Sequence, residues 1–288
     1  MRRYYRPPRM QVRNRARPRT SRPGGSGGCL RLALALGMAA FALFSYYGSK
    51  VINPVTGEEQ YITITQDQEI ALGLQATPEM VQQFGGLHPD PDIQELVDLI
   101  GVYLVDNSLA ADSGYPFEFY VLADEQTVNA FALPGGQIFV TYALLAQLET
   151  EDQLAGVIGH EIGHVVTRHG AERIAQMQLT QGLTGAVVLA TYDPQDPSTQ
   201  RTAEVALLIG QLVTMKWGRE DELEADWLGV CILHQSGYDP AEMIGVMDVL
   251  EAAGGGQLRP PEFFSTHPNF DTRDANIQQS IDNLGSCP

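Results

Sequence analysis

Hydrophobic and polar positions follow three different rhythms along this chain, and each predicts a different kind of element. From Leu30 to Tyr47 the run LRLALALGMAAFALFSYY is apolar apart from Arg31, which lies near enough to the end to snorkel. At 1.5 Å per residue it forms a helix about 27 Å long, close to the roughly 30 Å hydrocarbon core of a bilayer. Residues 91–105, PDIQELVDLIGVYLV, set apolar side chains at helical spacing behind a proline, which predicts an amphipathic helix. Residues 117–123, FEFYVLA, alternate and carry aromatics, as a strand does. TVNAFALPGGQIFVTYALL adds two extended stretches, 127–132 and 137–141, around a turn at Pro134-Gly135-Gly136.

Helical period then takes over. One long helix is predicted over 150–176. Residues 179–191 are apolar but too short to cross a bilayer, and YDPQDPSTQ parts them from a further helical run at 202–217. Together they predict an insertion over the site, a lid or a membrane-facing hairpin, with ordinary core helices as the alternative. Helices follow over 219–236, 240–253 and 271–284, with start signals at Asp239-Pro240 and Asp271. No internal repeat is found. The pattern predicts an α+β fold, mostly helical with a small sheet, behind a single N-terminal transmembrane helix. Its parts are a disordered basic tail at 1–29, the anchor at 30–47, a linker with a short extended piece at 48–66, and a globular domain at 67–288.

Charge sharpens the topology. Residues 1–50 hold ten Arg, one Lys and no acid, whereas residues 51–288 hold seven basic and thirty-five acidic side chains. Nine arginines precede the apolar run, which predicts a cytoplasmic N-terminus and a body on the far side. Tyr46 and Tyr47 suit an interfacial aromatic belt. The alternatives are a cleaved signal peptide, leaving a secreted body, and a mitochondrial leader with an inner-membrane destination. No nucleic-acid partner is expected, because the acidic body repels phosphate. Cys29, Cys231 and Cys287 are too few and too scattered for a structural metal cluster. Cys231 and Cys287 can pair in an oxidising compartment, and nothing in the sequence decides it.

The candidate chemistry lies in VIGHEIGHVVTRHG, residues 157–170. On a helix His160 and His164 fall about 40° apart and one turn separated, so two imidazoles can share one ion. Glu161 lies beside them, as the general base of an HExxH metal site does, on a water whose pKa zinc lowers to about 7. Ile158, Ile162, Val165 and Val166 form the core-facing side. His169 falls in the middle of that side, which predicts a packed core histidine and not a ligand. Gly156, Gly159 and Gly163 make a smooth flank that costs about 1 kcal/mol per glycine relative to Ala, so a second element is expected to approach there. In GREDELEADWLG, residues 218–229, Glu222 and Asp226 are again four apart. One carboxylate can then reach the metal while the other accepts a hydrogen bond from a ligand's free ring nitrogen. Glu220, Asp221 and Glu224 read as an exposed acidic face.

NAFALPGG (129–136), HEIGH (160–164), ELEAD (222–226) and STHPNFDTR (265–273) in this order resemble the zinc peptidase family of HtpX, BepA and the CAAX prenyl proteases. The likeness covers roughly residues 65–284, without a multi-span membrane core or a helical repeat region. It implies a zincin-like metallopeptidase domain, with Glu222 as third zinc ligand and Asp226 as the partner behind a ligand. It also implies that His267 approaches the metal, as a fourth ligand at rest or as a stabiliser of the tetrahedral intermediate, with Arg273 nearby. Asn129, Ala130, Phe131 and Ala132 become an edge strand that binds substrate backbone by strand addition.

The expectation is a membrane-anchored metalloendopeptidase with one Zn2+ per chain, His160, His164 and Glu222 as ligands and Glu161 as base. Its partners would be polypeptides, unfolded or belonging to membrane and exported proteins, in protein quality control. The competing class is a non-catalytic, zinc-containing chaperone or assembly factor that holds unfolded proteins along the edge strand. That class has no need of Glu161.

Overall fold

The computed structural model describes residues 26–191, 218–254, 263–268 and 272–288. The arginine-rich stretch 1–25, residues 192–217 of the expected insertion and residues 269–271 of STHPNFDTR lie outside the described residues, whereas 179–191 of that insertion fold as helix.

The apolar run folds as helix α1, Ser26–Gly48. Alanine and leucine, both good helix formers, dominate it. Gly28–Gly48 is long and apolar enough to cross a membrane, and Leu36, Phe41 and Phe44 are exposed.

The span expected as a linker is folded. Strands β1 (Lys50–Ile52) and β2 (Glu59–Tyr61) form an antiparallel hairpin around Asn53, whose Oδ1 accepts from the amides of Val55 and Thr56. Asn53 Nδ2 and Gln60 Nε2 both donate to the carbonyl of Thr167, so buried polar side chains tie the hairpin to the helix that carries the histidines. Extended character was legible here; the distant partner was not.

Helix α2 (Gln66–Gln83) starts at a capping box between Thr65 and Gln68, and α3 (Pro91–Asp106) at Asp90 with proline in the first turn. Strands β3 (Glu118–Leu122), β4 (Ala130–Ala132) and β5 (Gln137–Thr141) make one sheet in the order β3-β5-β4. β3 runs parallel to β5 and β4 antiparallel to it, which leaves β4 on an edge. The turn into β5 uses Gly135 at φ +103°, and a Cβ there would stand 2.5 Å from Ile70 Cα, so only glycine fits.

After the short α4 (Tyr142–Leu145) comes α5 (Glu151–Val166), capped by Thr150. Every residue from Gln153 to Val166 is buried. The chain breaks before α6 (His169–Thr191), which corrects the expectation of one helix over 150–176. Arg168 takes φ +63° at the break, a conformation that costs a residue with a Cβ roughly 1–2 kcal/mol. Long-range contacts compensate: its guanidinium pairs with the buried Glu69 and donates to Ile64 O at 3.2 Å. A helical period cannot reveal a break imposed from a hundred residues away.

Helices α7 (Arg219–Ser236), α8 (Glu242–Gly254), α9 (Phe263–Thr266) and α10 (Arg273–Asp282) complete the body. The core packs Ile100 and Leu104 of α3, Val121 and Ile138 of the sheet, Ile158 of α5 and Leu228 of α7 together. A disulfide joins Cys231 to Cys287 and ties the C-terminal segment to α7.

Candidate metal centre

The glycine flank of α5 has the expected purpose, with one change. A Cβ at Gly163 would lie 2.9 Å from Ala225 O, and one at Gly159 would lie 2.7 Å from Leu233 Cδ1, both on α7. Gly156 faces Met243 and Val246 of α8 instead. Two glycines thus let the backbones of α5 and α7 close together, and the ligand-bearing turns of the two helices meet.

His160, His164, Glu222 and His267 each present one ligand atom, all within 4.8 Å of one another, and all four residues are buried. His160 Nε2 and His164 Nε2 are 3.1 Å apart, and Glu222 oxygens lie 3.7 and 3.5 Å from them. His267, at the end of α9, stacks on Phe263 with ring centroids 4.4 Å apart, and its Nε2 lies 3.4 Å from Glu161 Oε1.

The neighbours select the protonation states. His160 Nδ1 stands 2.9 Å from Asp226 Oδ1, a carboxylate that accepts only a proton-bearing nitrogen, which leaves Nε2 as a lone pair. Burial lowers the pKa of His160 and takes those of His164 and His267 well below the usual histidine value, so all three rings are neutral at pH 7. Burial likewise pushes Glu222 well above the usual carboxylate range, against the Arg273 guanidinium 3.0 Å away. For Asp226 burial is outweighed by the charge of Arg273 and by hydrogen bonds from His160 and Arg273, which leave its pKa below the usual value. Arg273, wholly buried, grips Asp226 through Nε at 2.7 Å and Nη2 at 2.8 Å.

This donor set fits a metal ion. Two imidazole lone pairs converge on one point, and beside them, 3.5 Å from His164 Nε2, lies the buried Glu222 Oε1, which has no hydrogen-bond partner among the described residues. Such an arrangement is unfavourable until a cation lies between the donors. Two or three nitrogens with one carboxylate oxygen is a zinc-type set.

Glu161 is also buried. Burial raises its pKa to about 8, opposed by the charge of Arg273 and by the nearby amide of Ala132. That contact sets the edge strand against the base. Along β4 the ladder turns the backbone groups of Asn129 and Leu133 toward β5, and by alternation those of Phe131 as well. Ala130 and Ala132 point theirs outward. The expectation that all of 129–132 offer backbone to a substrate is therefore narrowed: Asn129 exchanges both groups with Thr141, and Phe131 stacks on Phe139.

His169 departs from its expected place in an apolar core. It is buried, but its Nδ1 lies 2.8 Å from His164 Nδ1 and its Nε2 lies 3.0 Å from Glu224 Oε2. The helix break at Arg168 explains the difference, because a continuous helix would have carried His169 round to the apolar side. Glu224, expected on an exposed face, is in contact with this ring; Glu220 is exposed as expected. No spacing rule pointed to either residue.

Residues 93–281 match the profile described as "Peptidase family M48". The chain is 30% identical over 244 residues to the "Beta-barrel assembly-enhancing protease" of Escherichia coli (strain K12), covering 80% of this chain and 47% of that protein. It is 30% identical over 234 residues to the "Mitochondrial metalloendopeptidase OMA1" of Schizosaccharomyces pombe, covering 78% of this chain and 65% of the relative. With the protein of the same name from Arabidopsis thaliana it shares 35% over 161 residues, covering 56% and 31%. The chain spans about half the length of the bacterial relative.

Proposed function

This chain belongs to peptidase family M48, and on that premise we propose that it is a zinc metalloendopeptidase that cleaves extended polypeptides beside a membrane. The observation that carries the reading is the convergence of His160, His164, Glu222 and His267 within 4.8 Å, next to the buried Glu161. His160, His164 and Glu222 hold the ion. Bound zinc supplies Lewis-acid polarisation of the scissile carbonyl and of the attacking water.

The chain's own residues do the rest. Glu161 takes a proton from the attacking water and delivers it to the leaving amine. A pKa raised to about 8 by burial suits a group that must both accept and release a proton. Substrate lies along the outer edge of β4, pairing with backbone groups of Ala130 and Ala132 with little demand on its sequence. His267, 3.4 Å from Glu161, stands over the reacting centre, where it completes the metal site at rest or stabilises the tetrahedral intermediate. Arg273 and Asp226 hold His160 and Glu222 in position.

α1 anchors this machinery to a membrane. The arginines before it favour a cytoplasmic N-terminus, and the Cys231–Cys287 disulfide suits a body in an oxidising, extracytoplasmic compartment. Unfolded membrane and exported proteins are the substrates such a placement offers.

The test is to incubate the purified full chain with an unfolded polypeptide, with and without a zinc chelator, beside Glu161→Gln. Cleavage that stops with chelator, returns with zinc and is absent from Glu161→Gln is the expected result. Cleavage that persists in both conditions excludes the reading.

A further inference from the structure

The two helical ligands are steadied in different ways. His160 meets its carboxylate directly, Nδ1 to Asp226 at 2.9 Å. At His164 Nδ1 stands another imidazole, that of His169, at 2.8 Å, and the carboxylate of Glu224 lies 3.0 Å beyond it. We propose that His169 and Glu224 form a two-step relay that fixes the tautomer and ring orientation of His164, and so set the metal affinity of the site.

The argument is proton accounting. For His164 to offer Nε2 toward His160 and Glu222, its proton must sit on Nδ1. That N–H needs an acceptor, and His169 Nδ1 accepts only when the His169 proton is on Nε2. Glu224, an acceptor at that nitrogen, selects this state. Each group is therefore in the one form the next requires, from the half-buried carboxylate inward to the ligand. With Glu224 absent, His169 can carry its proton on Nδ1, which turns two N–H groups toward each other or moves the His164 proton onto the metal-facing nitrogen. The fold is arranged to hold the relay: the left-handed Arg168 ends α5 and swings His169 back under His164. Glu224 comes from α7, two residues from Glu222, so one helix supplies a metal-facing carboxylate and the outer end of the relay.

His169 and Glu224 are positioning residues and touch no substrate. The inference rests on the metal-site part of the proposed function but not on peptide cleavage, so it is tested by binding. Zinc affinity of the full chain is measured by competition with a chromogenic chelator, with melting of the metal-free protein followed in parallel. His169→Phe is expected to weaken zinc binding about 10–100-fold, the range for loss of a ligand's hydrogen-bonding partner. Glu224→Met, which removes the acceptor at His169 Nε2, should weaken it less, and the double variant should be no weaker than His169→Phe alone, because Glu224 acts through His169. The electronic spectrum of the Co2+-loaded protein should shift in both single variants. Glu220→Met, on the exposed face of the same helix, is the control and should leave affinity and spectrum unchanged. Affinity within twofold of the parent in Glu224→Met, with an unchanged cobalt spectrum, overturns the proposal. So do effects of the two substitutions that simply add. Should His169→Phe fail to fold, the Glu224→Met comparison alone decides. A parent chain that binds zinc but cuts nothing would defeat the peptidase reading and leave the relay intact.

Discussion

Of the helix pairs that pack through glycine, two do opposite things with the closeness. Between α5 and α7, Gly159 and Gly163 bring backbones together so that Glu222 and Asp226 reach two histidines in a buried space. Between α1 and α6, a Cβ on Gly182 would lie 2.6 Å from Ala42 Cβ, and one on Gly185 3.4 Å from Met38 Cε, with no charge on α6 from Ile174 to Thr191. The first contact buries charge and becomes reactive. The second buries apolar surface beside a cavity of about 220 Å³ and seats α1 against α6. Close approach by itself therefore carries no function; what it brings within reach does.

The largest expected effect sharpens the first contact. Glu161→Gln should lower peptide cleavage by about 10³-fold, in the range for removing a general base, while zinc content by elemental analysis stays at one per chain. Loss of zinc together with activity would instead make Glu161 part of the metal's support. Next is Arg273→Met, which leaves Asp226 and Glu222 buried without their cation. Breaking such a pair costs about 3–5 kcal/mol, so the denaturant midpoint should fall steeply and an unchanged midpoint would remove Arg273 from the support of the site.

Gly163→Ala tests the backbone approach directly. The added methyl would meet Ala225 O at 2.9 Å, a backbone atom that cannot swing aside, so about 1–3 kcal/mol of stability and part of the zinc affinity should be lost. The matched change in the second contact, Gly182→Ala, is expected to have the smallest effect. It should loosen α1 from α6, seen as faster proteolysis near residue 48, with zinc affinity and cleavage of a soluble peptide unaltered. Equal loss of zinc from both glycine variants would dissolve the distinction between the two contacts.

Much of the metal centre was legible as spacing. His160 and His164 share one face of a helix because four residues make about one turn, Glu161 falls beside them, and Glu222 with Asp226 repeats the interval. The strands, the turn at Gly135 and the helices of the C-terminal half were readable from period and punctuation. His169 and Glu224 were misplaced because their partners lie across a helix break and on another helix. The hairpin at 50–61 looked like a linker because its anchor, the Thr167 carbonyl, is more than a hundred residues away.

The sequence alone determined the local inventory: an apolar span, extended stretches around a glycine turn, and donor pairs one helical turn apart. Periodicity is a short-range property, and these features depend only on residues within a few turns of one another. The tertiary structure decided which donors share a space, that Arg273 lies under Asp226, that Cys231 meets Cys287, and that His164 is held through a second imidazole. Those outcomes follow from close packing of distant segments, where a glycine's missing Cβ or one left-handed residue moves a side chain by several ångströms, and no repeat along the chain records them.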